Sequence, residues 1–251
     1  MRGLPGIKRA FAAIWRTEDL ICSFDATIIW RPWWPLAGAK TALFRAPVTE
    51  GLHLDQNPFT KPGFDCVQAM MPLYDVTPET GGLEVCADSH LPAAKERYCK
   101  LYPAAGNFGE FLMLNPKIDP LCQEGAAKVL YAAAGDLIVW DSRTVHGGKV
   151  GTGAVMLPSA SLPGAAASAG AGGEAEADVP VAITLARLTQ TVCMTPRALA
   201  DEEALARRKQ FVAEGWGTTH CPHDARCPTK SRTPTPGWQP PVLNAEQRAL
   251  V

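Results

Sequence analysis

His53-Leu54-Asp55 and a distant His146 constrain this chain more than any other feature. Side chains at i and i+2 of an extended segment project from the same face, so His53 and Asp55 can serve one centre only if they sit on a strand or at its end. His146 must then return to that place from far along the chain, which a barrel allows. Two imidazoles and one carboxylate occupy one face of an octahedral first-row metal and leave three positions open.

The surrounding sequence supplies the strands. Leu20–Ser23, Thr27–Trp30, Cys66–Val76, Leu83–Cys86, Lys128–Ala132, Asp136–Trp140 and Val181–Met194 are short, apolar or β-branched, and separated by Gly and Pro. That punctuation predicts a sandwich or barrel. Leu43–Val48 leads into the His-X-Asp segment. Residues 6–16 have helical spacing (Ile7, Ala10, Phe11, Ile14, Trp15) behind Pro5. Ala198–Glu214 reads as a second helix, acidic early and basic late as the macrodipole favours. Residues 92–102 and 119–128 read as short helices within a long excursion.

With 251 residues, 47% of them hydrophobic, one large domain with a sizeable core is expected. It spans 1–216, and residues 159–178, nearly all Ala, Gly and Ser with a few acids, read as a disordered insertion because they offer little to bury. Residues 217–251 read as an extended Pro-rich tail, packed on the domain or trailing it. The net charge is −1. No Lys/Arg run with interleaved aromatics argues for nucleic acid, and no stretch is long enough to span a bilayer. Eight cysteines contain no C-x-x-C and read as buried reduced thiols. The expected location is intracellular and cytoplasmic, with an organelle left open and the oligomeric state unread.

The segments around the triad carry a resemblance. Leu52-His53-Leu54-Asp55-Gln56-Asn57-Pro58; Val67-Gln68 through Tyr74-Asp75; Thr80-Gly81-Gly82-Leu83-Glu84-Val85-Cys86-Ala87-Asp88-Ser89-His90; Gly135-Asp136-Leu137 through His146; and Arg187 ahead of Val192-Cys193-Met194-Thr195-Pro196 resemble the phytanoyl-CoA dioxygenase family of Fe(II)/2-oxoglutarate oxygenases. The resemblance runs from about residue 15 to about 197. It implies a mainly β fold with flanking helices, built on a double-stranded β-helix (jelly-roll, cupin-like) core with the metal at its open mouth.

It also implies roles. His53, Asp55 and His146 would be the metal ligands and catalytic centre. Arg187 would grip the far carboxylate of 2-oxoglutarate, for which a planar guanidinium fork is apt. Lys149 competes by spacing, but Arg187 lies in an apolar strand. Thr189 shares its face and would add a hydroxyl, and Gln68 is either a pocket residue or a satisfied core amide. Asn57 and Arg143 are substrate-side candidates, and the Trp30–Trp34 loop lines the substrate side or fills the core. His90 is structural in the family. His220, Cys221, His223 and Cys227 invite a zinc reading, but their spacing fits no common pattern, and the tail reading is preferred.

Fe(II) would be the metal, 2-oxoglutarate and O2 the co-substrates, and ascorbate a candidate reductant. The reaction would hydroxylate a C–H bond of an unidentified small organic substrate with release of succinate and CO2. Asp55 favours hydroxylation, because related halogenases lack this carboxylate. The alternatives are a non-catalytic jelly-roll binding protein with a remnant metal site, and a zinc or manganese cupin-like enzyme that needs no keto acid.

Overall fold

Two five-stranded antiparallel sheets face each other in the computed structural model, which describes residues 1–35, 40–107, 109–153, 185–227 and 237–251. The first sheet joins β1 (Leu20–Cys22), β10 (Arg187–Pro196), β4 (Val67–Pro72) and β8 (Ile138–Asp141) in that order, with β2 (Thr27–Trp30) also paired to β10. The second runs β6 (Leu112–Met113), β3 (His53–Leu54), β9 (His146–Val150), β5 (Gly81–Val85) and β7 (Lys128–Leu130). Met70 and Trp140 of the first sheet pack with Leu83, Val85 and Leu130 of the second, closing the jelly-roll interior.

All six residues of β4 are buried, because both faces of that strand are covered. Its outer face, Val67, Ala69 and Met71, joins Val192 and Met194 of β10 under α1 (Pro5–Trp15). That helix supplies Ile7 and Phe11, four residues apart and hence on one face. The inner face carries Gln68 and Met70, and the same alternation carried back one step reaches Cys66. On β10 the inward set includes Arg187, Thr189 and Cys193.

Several boundaries differ from the sequence reading. The last long helix, α3 (Glu202–Glu214), starts at Glu202 rather than Ala198, because the Asp201 side chain accepts from the Ala204 amide and fixes the start there. The helix expected at 92–102 is α2 (Pro92–Leu101), but 119–128 yields only a single 3-10 turn at Pro120–Cys122, capped by Asp119. β10 begins at Arg187, and residues 181–184 of the strand expected at Val181–Met194 lie outside the described residues, as does the segment 159–178.

Where described, the expected tail is built into the body. The Thr218 hydroxyl accepts from the Phe24 amide, Cys221 is buried, and the Cys22 amide donates to the Leu250 carbonyl beside α4 (Ala245–Ala249). Arg208 of α3 is fully buried and donates to the carbonyls of Cys22, Pro222, Leu250 and Val251. No helix among the described residues is long and apolar enough to cross a membrane.

Candidate functional site

His53 and His146 are direct cross-strand partners on β3 and β9. Such pairing sets side chains about 5 Å apart on one face, and the two imidazole centroids lie 4.6 Å apart. Asp55 follows just past the end of β3. One carboxylate oxygen is 3.2 Å from His146 Nε2 and the other 3.8 Å from His53 Nε2. Ligand atoms of all three residues lie within 4.8 Å of one another, so the group can hold a metal ion.

Both imidazoles are held the same way. His53 Nδ1 lies 2.8 Å from the Gly51 carbonyl, and His146 Nδ1 lies 2.9 Å from the Thr144 carbonyl. A carbonyl only accepts, so each Nδ1 carries a proton and each Nε2 is the ring nitrogen that faces Asp55. Burial keeps the His53 imidazole below its ordinary pKa and so favours its neutral form. For Asp55, burial works to raise the carboxyl. Hydrogen bonding with His146 and the nearby His220, His146 and His53 outweigh it and hold Asp55 well below the usual carboxylate range. Gln68 Nε2 donates at 2.9 Å to the same carboxylate oxygen that faces His146, fixing its orientation.

The approach of β9 to the loop before β3 requires glycine at 147. A Cβ there would stand 2.6 Å from the Gly51 oxygen, the acceptor that aligns His53. Phe111 packs against the His53 ring at 4.9 Å and Trp140 against the His146 ring at 5.3 Å. The Trp140 indole N–H is buried and has no acceptor among the described residues.

Arg187 is buried on the same interior, one alternation beyond Gln68 through Met70. Its guanidinium lies 4.6 Å above the Trp30 ring, donates to the Thr189 hydroxyl at 3.3 Å and meets the Met70 sulfur at 3.5 Å. No carboxylate among the described residues pairs with it, and burial lowers its pKa to about 10. Lys149, the competitor by spacing, is exposed on β9.

The remaining candidates have other partners. Gln68, expected on the co-substrate, uses its amide on Asp55. Asn57 is fully buried, and its amide donates to the carbonyls of Ala105 and Gly109, so it anchors a loop. Arg143 forks onto Asp141 at 2.6 to 3.2 Å and lies over Phe64. Neither is brought to the triad. His90 and His223 stand outside it. His220, placed in the tail by the sequence reading, lies near enough to help lower the Asp55 pKa and clusters with Cys66 and Cys221. That reading also passed over Met70 and the platform role of Trp30. The period-2 alternation of Cys66, Gln68 and Met70 was the available signal for the inward set.

Comparison with known proteins follows the same lines. A profile of the family described as Phytanoyl-CoA dioxygenase (PhyH) matches residues 18–153, more than half of the chain and short of Arg187. The Ava biosynthesis cluster protein O of Aspergillus versicolor is 28% identical over 236 residues, which is 87% of this chain and 60% of that protein. The chain therefore spans less than two thirds of that relative's length. Two solved structures align over 78% of the chain at 15% identity. The non-heme monooxygenase ThoJ, as a nickel complex, has a TM-score of 0.43 with 51% of its chain covered. The epimerase SnoN, in complex with Fe3+, alpha ketoglutarate and a nogalamycin compound, has 0.44 with 57% covered. From the profile match over most of the β framework, the chain belongs to the phytanoyl-CoA dioxygenase family.

Proposed function

We propose that this chain is an Fe(II)- and 2-oxoglutarate-dependent dioxygenase that hydroxylates a C–H bond of a small organic substrate and releases succinate and CO2. The observation that carries the reading is the buried Arg187 guanidinium, which has no acid partner among the described residues and shares an interior with the triad. A buried cation of this kind calls for an anion, and a dicarboxylate whose other end reaches the triad would supply it.

The donor set fits the metal. Two neutral imidazoles and an ionised carboxylate suit a first-row divalent ion, and their capping by carbonyls and Gln68 is the usual outer support of such ligands. His53, Asp55 and His146 would hold the iron, which when bound supplies the open positions at which a keto acid and O2 react. The chain's own residues do the rest. Arg187 binds the distal carboxylate of the co-substrate, its plane set by Trp30 and its Nε by Thr189. Gln68 keeps Asp55 turned toward the imidazoles. Gly51 and Thr144 hold the imidazole protons on Nδ1. Trp140 and Phe111 pack against the imidazoles, and the buried indole N–H of Trp140, without an acceptor among the described residues, offers a further donor to a bound co-substrate or substrate.

The test is succinate formation by the purified chain with Fe(II), 2-oxoglutarate and O2. Asp55→Ala should abolish it. Arg187→Met should raise the 2-oxoglutarate requirement roughly 10- to 100-fold, as expected for loss of charge-assisted hydrogen bonds in a desolvated site. Unchanged co-substrate affinity in Arg187→Met would sink the assignment of that residue. Binding of Fe(II) without any succinate would favour a remnant metal site.

A further inference from the structure

Cys66, Cys193 and Cys221 come from three distant parts of the chain and pack together as a buried cluster. Cys66 immediately precedes β4, Cys193 is on β10, and Cys221 lies on the segment after α3. Ligand atoms of Cys66, Cys221 and His220 lie within 4.8 Å of one another. Cys193 sits against this trio, since it pairs in register with Gln68, two residues from Cys66 on the adjoining strand. All three cysteines are free thiols. His220 Nε2 is buried with no hydrogen-bond partner among the described residues. A polar nitrogen left so beside three thiols needs an explanation.

We infer that Cys66, Cys193, Cys221 and His220 form a second metal site of the Cys3His type, which takes a zinc ion and pins the 218–227 segment to the barrel. Three soft sulfurs and one imidazole in a closed pocket are the donor set of a structural zinc centre, and no position is left open for a substrate. With Zn–S near 2.3 Å, tetrahedral sulfurs stand about 3.8 Å apart, so Cys66, Cys221 and His220 close on an ion with a small movement, while Cys193, whose thiol reaches Asp25 at 3.9 Å, turns from that carboxylate to complete the set. Each cysteine releases its thiol proton on binding, and His220 ligates as neutral imidazole. Burial and mutual contact hold these thiols in the protonated form without a cation, Cys193 at a pKa of about 11, so the ion and the protons compete. The neighbouring group Glu110, Cys221 and Asp224 is not a rival, because Lys61 and Arg226 already neutralise both carboxylates.

The inference goes beyond the oxygenase reading and shares no residue with the triad, so either can fail alone. Along the inner face of β4, Cys66 belongs to the thiol cluster, Gln68 to Asp55, and Met70 to Arg187. His220 also acts on Asp55 through its charge, lowering that carboxyl's pKa.

The decisive probe is Co(II) titrated anaerobically into the full chain kept reduced. Two equivalents are expected. One shows intense thiolate-to-cobalt charge transfer with tetrahedral visible bands, and Zn(II) displaces it. The other lacks thiolate bands and is lost in Asp55→Ala, while the thiolate signal stays. Cys221→Ser and His220→Gln should each weaken the thiolate site by more than the roughly 100-fold typical of losing an outer-sphere partner. Cys99→Ser, at an exposed position, should leave it intact. Should Cys221→Ser fail to fold, the wild-type spectrum and His220→Gln still decide. Absence of thiolate charge transfer in the reduced wild type overturns the site, as does its survival in Cys221→Ser.

Discussion

Gln68 shows how one side chain sets the behaviour of another. Its amide donates at 2.9 Å to Asp55, whose carboxylate is drawn in opposite directions by burial and by three histidines. Loss of such an outer partner costs about 10- to 100-fold in metal affinity. Gln68→Leu should therefore weaken Fe(II) or Co(II) binding at the triad by that factor, read by anaerobic titration, with the thiolate signal unchanged. Undiminished affinity would show that His146 alone orients the carboxylate. That a polar residue in an apolar strand does something specific was legible in the sequence. Its partner was not, because Asp55 reaches it across the interior from the other sheet.

At the scale of elements, the β3–β9 pairing does most of the site's assembly. It depends on how closely β9 passes the loop at Gly51. Gly147→Ala places a methyl 2.6 Å from a backbone oxygen that cannot swing away. Overpacking of this kind costs about 1–3 kcal/mol, seen as a lower urea midpoint, and it should also misalign His53 and weaken metal binding. Gly148→Ala meets side chains rather than backbone, Thr49 at 3.1 Å and Trp30 at 4.0 Å, and should be milder. Equal effects at 147 and 148 would argue against the backbone clash. The Gly147-Gly148 pair after His146 is visible in the sequence. Which glycine the packing demands depended on where the Gly51 loop lies.

At the scale of the whole molecule, Arg208 ties the chain's late segments to its first sheet through four carbonyls. Arg208→Met keeps volume but strands buried acceptors at about 1–3 kcal/mol each. Partial relaxation leaves an expected loss on the order of 3 kcal/mol by urea or thermal unfolding, and a neutral result would show that those carbonyls find water. The metal-free protein should also have a stability maximum near pH 6.5. Below that, His53 and His223, both lowered from 6.5 by burial, take up protons in the unfolded chain before the folded one, so acidification destabilises. Asp55 and Asp224, both lowered from 3.8, add a further loss as the pH falls below the ordinary carboxylate range. Above 6.5, His220 acts oppositely. Burial works to lower its pKa, but Cys221 and Asp55 raise it to about 9, so its contribution is complete below 6.5 and lost as the pH rises through about 9. Unfolding midpoints measured with chelator from pH 4 to 10 check this, and a monotonic rise to pH 9 would contradict it.

The sequence by itself determined what local spacing can encode. His53 and Asp55 two residues apart, apolar runs broken by Gly and Pro, and a capped acidic-to-basic helix each depend on neighbours along the chain, and together they specified a β-rich barrel with one metal face. Arg187 was legible because a charge inside an apolar strand implies burial. Only the tertiary structure decided which residues share an interior. Trp30 beneath Arg187, Gln68 on Asp55, and Cys66, Cys193, His220 and Cys221 in one pocket are joined by sheet pairing and by the return of the late segment over the barrel. Sequence separation holds no record of such contacts, because a strand's period fixes the face a side chain takes but not the partner it meets there.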